Sequence, residues 1–430
     1  MGTRVNRLVV VALVVAAVVA LGLANLAGAE DPPDPELMVE LGEMLYFDKK
    51  LSSPDGQACA DCHEPTVGFD DPDFEFPVSQ GVLPQNRWGN RNSPISAYAM
   101  YAPRFHWDAS EELWIGGQFW DGRATGDELV DPLADQALGP FLNPLEMNNP
   151  IKRTVIEEIR RSKYADLFEE VWGPKSLKNV EMAYDQVALS IAAFERAELF
   201  AQFSSKYDAY LAACLDLGGA PHDCAQGVGD QAEIAAGALL TSMEWEGLQL
   251  FMGPNDNDGV LEEAEGALCS ACHVADWTMA DDYELPVVVP EWAPEGMVPP
   301  VFTDFSFDNL GVPKNWDSPF LDLPHVFNPD GADFIDYGLG GVLGNPEENG
   351  KFKVMTLRNI GVSAPYAHNG FFTTLDEIVH FYNARDVEDL GEPEVPETVN
   401  VDELGKLGLS AEDEAALVAF MKTLTDGYMP

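Results

Sequence analysis

The chain has 430 residues and a formal charge of −49. That length allows two domains, and so acidic a balance excludes nucleic acid and anionic lipid as partners. The acids are spread along the whole chain, which reads as a heavily solvated surface before it reads as a dock for a basic redox partner.

Residues 1–29 read as an export leader. Arg4 and Arg7 supply the positive start, Leu8 to Leu26 the apolar run, and Ala27-Gly28-Ala29 the small residues for cleavage. The run is long for a leader, so an uncleaved membrane anchor stays open. Leu37, Leu41, Met44 and Leu45 then line one helical face. Directly after comes Cys59-Ala60-Asp61-Cys62-His63. Val180, Val187, Ile191 and Phe194 mark a longer helix. Cys214 and Cys224 flank a short loop, and an oxidising compartment favours a disulfide between them. Ile234 to Phe251 reads as one helix leading to Cys269-Ser270-Ala271-Cys272-His273. The stretch Asp276 to Gly350 is rich in Pro, Gly and Asp and is expected as irregular loops. Thr374 with Glu377 and Ser410 with Asp413 form capping boxes that open two late helices. No sustained alternation calls for a large sheet. The expected fold is therefore mainly α, with two domains, one for each Cys-x-x-Cys-His motif, and long irregular loops. The expected division is an N-terminal domain over 30–200, a linker loop over 201–229 and a C-terminal domain over 230–430.

Cys-x-x-Cys-His in an exported chain reads as covalent haem attachment, two thiols to the vinyl groups and the histidine to the iron. Two copies predict a dihaem c-type protein of two cytochrome c-like haem domains, with His63 and His273 as proximal ligands. Of seven histidines, none lies between His63 and His106, so the first iron has few nearby candidates for a second histidine. An open iron face is where peroxide could bind. His106 sits in an aromatic loop and reads as a packed or solvent-edge histidine. The acidic loop Asn255-Asp256-Asn257-Asp258-Gly259 with Glu265 imitates an EF-hand only in part. Pro254 stands where its first aspartate belongs, so it reads as a plain acidic loop.

Longer motifs carry a family resemblance. They are Leu41-Gly42-Glu43-Met44-Leu45-Tyr46-Phe47-Asp48, Asn90-Arg91-Asn92-Ser93-Pro94, Phe119-Trp120-Asp121-Gly122-Arg123-Ala124 and Asn143-Pro144-Leu145-Glu146-Met147. Thr356-Leu357-Arg358-Asn359 and Ala364-Pro365-Tyr366-Ala367-His368-Asn369-Gly370 complete the set. With them the chain resembles the bacterial dihaem cytochrome c peroxidase family that includes the MauG proteins.

The resemblance implies a periplasmic oxidoreductase with Glu146 as proton-transferring base, Gln136 as its polar neighbour and Trp120 between the haems. Read alone, each is an ordinary surface or core residue. Tyr382, on the apolar stripe of Leu375, Ile378 and Val379, would alone be core; the resemblance makes it the second ligand of the C-terminal iron, as in the MauG branch. The stretch Ser79 to Asn86 lacks the histidine that often caps the first haem in ordinary members. Arg123 and Arg358 are expected on haem propionates or backbone, and His368 near the second haem. A calcium ion is expected on the Asn92 side chain and the Ser363 and Pro365 carbonyls. The implied reaction is reduction of hydrogen peroxide with electrons from a small cytochrome c or copper protein. The alternatives are MauG-like oxidation of a protein substrate, with two oxidising equivalents held over both haems, and a dihaem carrier without turnover. Homodimers occur in the family.

Overall fold

The computed structural model describes residues 32–253 and 267–429. The expected leader and the Asn255–Gly259 loop with Glu265 lie outside the described residues. Helices α1 (Pro35–Tyr46), α2 (Pro132–Ala137), α3 (Lys152–Arg161), α4 (Ala165–Trp172) and α5 (Val180–Glu195) build the first half. The second half holds α6 (Lys206–Asp216), α7 (Pro221–Gln226), α8 (Asp230–Leu239), α9 (Ser242–Met252), α10 (Gly338–Leu343), α11 (Leu375–Ala384) and α12 (Ala411–Lys422). Three two-stranded antiparallel ribbons complete the described structure: β1 (His106–Asp108) with β2 (Leu113–Ile115), β3 (Thr278–Met279) with β4 (Met297–Val298), and β5 (Phe307–Asp308) with β6 (Phe352–Lys353). The mainly helical expectation holds. Among the described residues no helix is long and apolar enough to cross a membrane.

Each half has its own apolar core. Leu41, Val155, Ile191 and Phe200 belong to the first, and Leu248, Phe251, Phe302 and Phe420 to the second. The expected boundaries need two corrections. The 201–229 segment is not a linker loop. It forms α6 and α7, and Tyr207, Tyr210, Leu211, Cys214 and Cys224 pack into the second core, with Cys214 and Cys224 disulfide-bonded. Val298 and Val301, conversely, cross into the first core, so the halves interdigitate. The single helix expected over Ile234 to Phe251 is two. Thr241 caps α9, its hydroxyl bonded to the Glu244 amide and the Glu244 carboxylate to the Thr241 amide, so the chain must leave helical geometry there.

The same crossing recurs in both halves. A Cβ added to Gly42 of α1 would lie 2.0 Å from the Ser190 carbonyl oxygen of α5. One added to Gly247 of α9 would lie 1.9 Å from the Ala416 carbonyl of α12. Only glycine lets these helix backbones approach so closely. Between the halves, Arg91, its side chain 12% exposed, donates to both carboxylate oxygens of Asp336, at 2.7 and 2.8 Å, and to Asp121 at 2.5 Å.

Replacing Gly247 by Ala should destabilise the protein by about 1–3 kcal/mol, because the methyl group meets backbone rather than a movable side chain. Gly237→Ala, in a helix with open space around its Cα, should instead gain up to about 1 kcal/mol from helix propensity. Paired denaturation curves compare the two; equal effects would remove the crossing as the cause.

Candidate active site

Each Cys-x-x-Cys-His motif follows its crossing helix as a short 3-10 turn, Cys59–Asp61 and Cys269–Ala271, and faces a cavity. All four motif thiols are free. His63 Nδ1 lies 3.3 Å from the Phe69 carbonyl and His273 Nδ1 lies 3.1 Å from the Phe302 carbonyl. As donors there, they leave Nε2 of each ring as the basic nitrogen, as a metal-ligating histidine requires. Burial pushes both imidazoles down to about 4, so both are neutral at ordinary pH.

The C-terminal cavity, about 600 Å³, is lined by Cys269, Cys272, His273, His368 and Tyr382. Leu375, Ile378 and Val379 line it too, so the whole predicted stripe of α11 turns inward with Tyr382. Burial raises the Tyr382 phenol far above its usual range, with Cys272 and Cys269 adding to the shift. His368 is buried, stacks on Phe352 at 3.5 Å between ring centroids, and has an Nε2 without a hydrogen-bond partner.

The N-terminal cavity is narrower, about 150 Å³, and His63 is its only histidine among the described residues. Gln136 on α2, Glu146, Trp120 and Arg123 line it. Asn143 donates to Glu146 Oε1 at 2.7 Å. Burial raises the Glu146 carboxyl above the normal glutamate range, against the opposing pull of Arg123 and Asn143. Trp120 lines both cavities, and its indole N–H donates to the Asn92 carbonyl at 2.9 Å. Asn92 in turn donates its side-chain amide to the Pro365 carbonyl at 2.6 Å, and Ser363 lies on the adjoining wall. His106 is at the surface, bonded to the Arg104 carbonyl.

The two arginines part company. Arg123 sits at the rim of the N-terminal cavity, bonded to Asp121 and stacked over Phe119. Arg358 lines neither cavity. Its guanidinium bonds the Pro300 carbonyl, the backbone alternative of the expectation, and also both oxygens of buried Asp208.

Two buried groups at the site went unread in the sequence. Glu195, only 5% exposed, ends α5 and lines the N-terminal cavity. Burial, with Asp131 beside it, pushes its carboxyl up to about 8. The signal was there, since Glu195 continues the stripe of Val187 and Ile191 by one further turn. Lys353, also 5% exposed, donates its backbone N–H to the Trp120 carbonyl and its ammonium to the Gly117 carbonyl at 2.7 Å. A two-residue strand carries no periodicity that could have announced it.

The profile of the family described as di-haem cytochrome c peroxidase matches residues 36–214. MauG, the methylamine utilization protein of Paracoccus denitrificans, is 33% identical across 92% of this chain and 90% of its own. The chain belongs to the dihaem cytochrome c peroxidase and MauG family. The cytochrome c551 peroxidase of Nitrosomonas europaea is 27% identical over 91% of this chain and 81% of its own. Among solved structures, the diheme peroxidase BthA of Burkholderia thailandensis is 29% identical, with a TM-score of 0.69 over 92% of this chain and 87% of that one. A BthA variant with one tyrosine replaced by methionine matches equally well, at a TM-score of 0.69.

Membership makes the protein a haem-dependent oxidoreductase and implies two haem c groups. The residues present fit them. Each cavity offers two free thiols and the neutral imidazole of its motif histidine, and the C-terminal one adds His368. Three buried polar atoms without protein partners, Gln57 Oε1, Ser79 Oγ and Glu195 Oε2, belong to the lining of the N-terminal cavity, and His368 Nε2 to that of the other. Such atoms call for a hydrogen-bonding occupant or water.

Burial pushes Lys353 down to about 7, against the pull of Asp121. Between about pH 7 and 10 the unfolded chain therefore binds more protons at this residue than the native one, so its contribution to stability rises with pH. Lys353→Met should be favoured over the native chain most strongly below pH 7. That advantage should shrink towards pH 10, by about 1.4 kcal/mol for each step of one in pH. Denaturation midpoints of both forms at pH 6.5 and 9.5 test this; a pH-independent difference would place the ammonium in contact with water.

Proposed function

We propose that the protein reduces hydrogen peroxide in the N-terminal cavity, with electrons passed on from the C-terminal half. The observation that carries the reading is the Glu146 carboxyl, held by Asn143 with a raised pKa, in a cavity whose only histidine among the described residues is His63. Cys59, Cys62 and His63 would hold one haem c and Cys269, Cys272 and His273 the other, and the two groups would supply the redox iron of the reaction and its electron store.

The protein's own part is proton transfer and positioning. Glu146 takes the proton from the inner peroxide oxygen and returns it to the outer one, which leaves as water. A pKa above the usual glutamate value suits a group that must both accept and release that proton. Asn143 orients the carboxylate. Gln136 is the amide neighbour for the departing oxygen. Trp120, with its ring against both cavities and its N–H fixed by Asn92, is the bridge between the halves. Asn92 and Pro365 meet across them, which supports calcium there, shared with Ser363; an ion would enter by parting that contact.

Tyr382 favours a second reading. A phenol among apolar side chains ionises only opposite a cation, and a tyrosinate ligand would stabilise the oxidised C-terminal iron. That setting suits MauG-like oxidation of a protein side chain better than uptake of electrons from a small cytochrome c or copper protein. The 33% identity to MauG supports it as well. The leader-like residues 1–29 support export to the periplasm for either reading.

Glu146→Gln keeps the shape of the side chain and loses the base. It should slow the reaction with peroxide by about 10²–10⁴-fold with an unaltered haem absorption spectrum, as read by stopped-flow mixing; an unchanged rate would displace Glu146 from this role. Tyr382→Met should raise the potential of the C-terminal haem in a spectroelectrochemical titration. No change would remove Tyr382 from the iron. Peroxide consumption with reduced cytochrome c, set beside oxidation of a co-expressed protein, separates the two readings.

A further inference from the structure

The ribbon of β1 and β2 carries a line of aromatic rings that runs inward from the surface. Trp107 is 45% exposed. Its ring packs edge-on against cross-strand Trp114, 5.4 Å between centroids. Trp114 stacks on Phe105 at 4.9 Å, the planes within 1° of parallel. Phe105 meets Phe307 of β5 edge-on at 5.8 Å.

Both phenylalanine rings close on Gly122, where an added Cβ would lie 2.8 Å from Phe307 and 3.0 Å from Phe105. Gly122 is two residues from Trp120. Phe307 also pairs across β5 and β6 with Lys353, whose N–H bonds the Trp120 carbonyl. The hairpin is fixed to this frame by the Gly116 N–H on the Phe305 carbonyl at 2.9 Å. Solubility gives no reason to keep an indole in water at the head of such a line, since an isolated exposed aromatic needs no stacked partners behind it.

We propose that Trp107 is an electron-entry residue, the point where a one-electron donor that meets the protein surface, without entering either cavity, delivers electrons through Trp114 towards Trp120. The inference rests on the peroxide-reducing reading. Each peroxide takes up two electrons and two protons to give two waters. Both electrons leave Trp107 one at a time, and each loss is refilled by the donor. The tip of the hairpin is acidic, with Asp108, Glu111 and Glu112, so a positively charged donor meets no repulsion there.

Without a donor, the chemistry must stop on the indole. Two electrons and two protons lost, with one water added, convert tryptophan to hydroxytryptophan, and the electrons reduce one peroxide. Trp316 is the internal control. It is 70% exposed, more than Trp107, and among the described residues no aromatic ring stacks on it.

The haem-loaded protein is treated with hydrogen peroxide alone, and peptides are mapped by mass spectrometry for added oxygen. Trp107 should gain oxygen well above Trp316. In the Trp114→Phe variant, Trp107 should fall to the level of Trp316. A haem spectrum that responds to peroxide while Trp316 is oxidised as much as Trp107 would overturn the entry site alone. A haem spectrum that does not respond would overturn the peroxide reading and this inference with it.

Discussion

Two helix crossings, each closed on a glycine, are what the rest of the molecule depends on. At Gly42 and at Gly247 the partner's carbonyl oxygen occupies the space of a side chain. Helix axes so close leave no freedom of tilt, because packed interiors do not yield to a methyl group without cost. The end of each crossing helix therefore emerges at a fixed point beside its motif. Tyr46, last in α1, places its hydroxyl 3.3 Å from the His63 carbonyl. Met252, last in α9, accepts from Ser270 inside the second motif at 3.2 Å. Imidazole direction thus follows from backbone contact at a glycine well upstream of each histidine, Gly42 for His63 and Gly247 for His273.

Between these two frames the chain sets one short junction. The Asn92 carbonyl holds the Trp120 indole, the Asn92 amide reaches Pro365, and Lys353 holds the Trp120 carbonyl. Three distant stretches of sequence thus meet around a single residue. The bridging role proposed for Trp120 requires that its orientation to both cavities be kept, and these contacts would keep it.

Legibility in the sequence followed the range of the interactions. Motifs that act through covalent spacing, such as the two Cys-x-x-Cys-His runs, were readable at once. So were local hydrogen-bond devices, the boxes of Thr374 with Glu377 and Ser410 with Asp413, because their partners lie three residues apart. The stripe of Tyr382 was readable as inward from its spacing, and only the family resemblance directed it to the C-terminal haem. The break at Thr241 was missed although its box is equally local, because the apolar spacing on either side hid it. The acid that pairs with Arg358 was missed for a different reason. Asp208 lies 150 residues away, and nothing in either segment names the other. Lys353 was invisible for the same cause, its value arising from a tertiary neighbour and from burial alone.

Arg91, pinned between Asp121 and Asp336, carries a consequence for ionic strength. The surface of this protein repels itself, and dissolved ions relieve that repulsion over distances beyond about 10 Å. Arg91 is little exposed, its two acids are buried and the cluster reaches across both halves, so the same ions act on it far less. Brine therefore weakens the force that would pull the halves apart and spares the one that joins them.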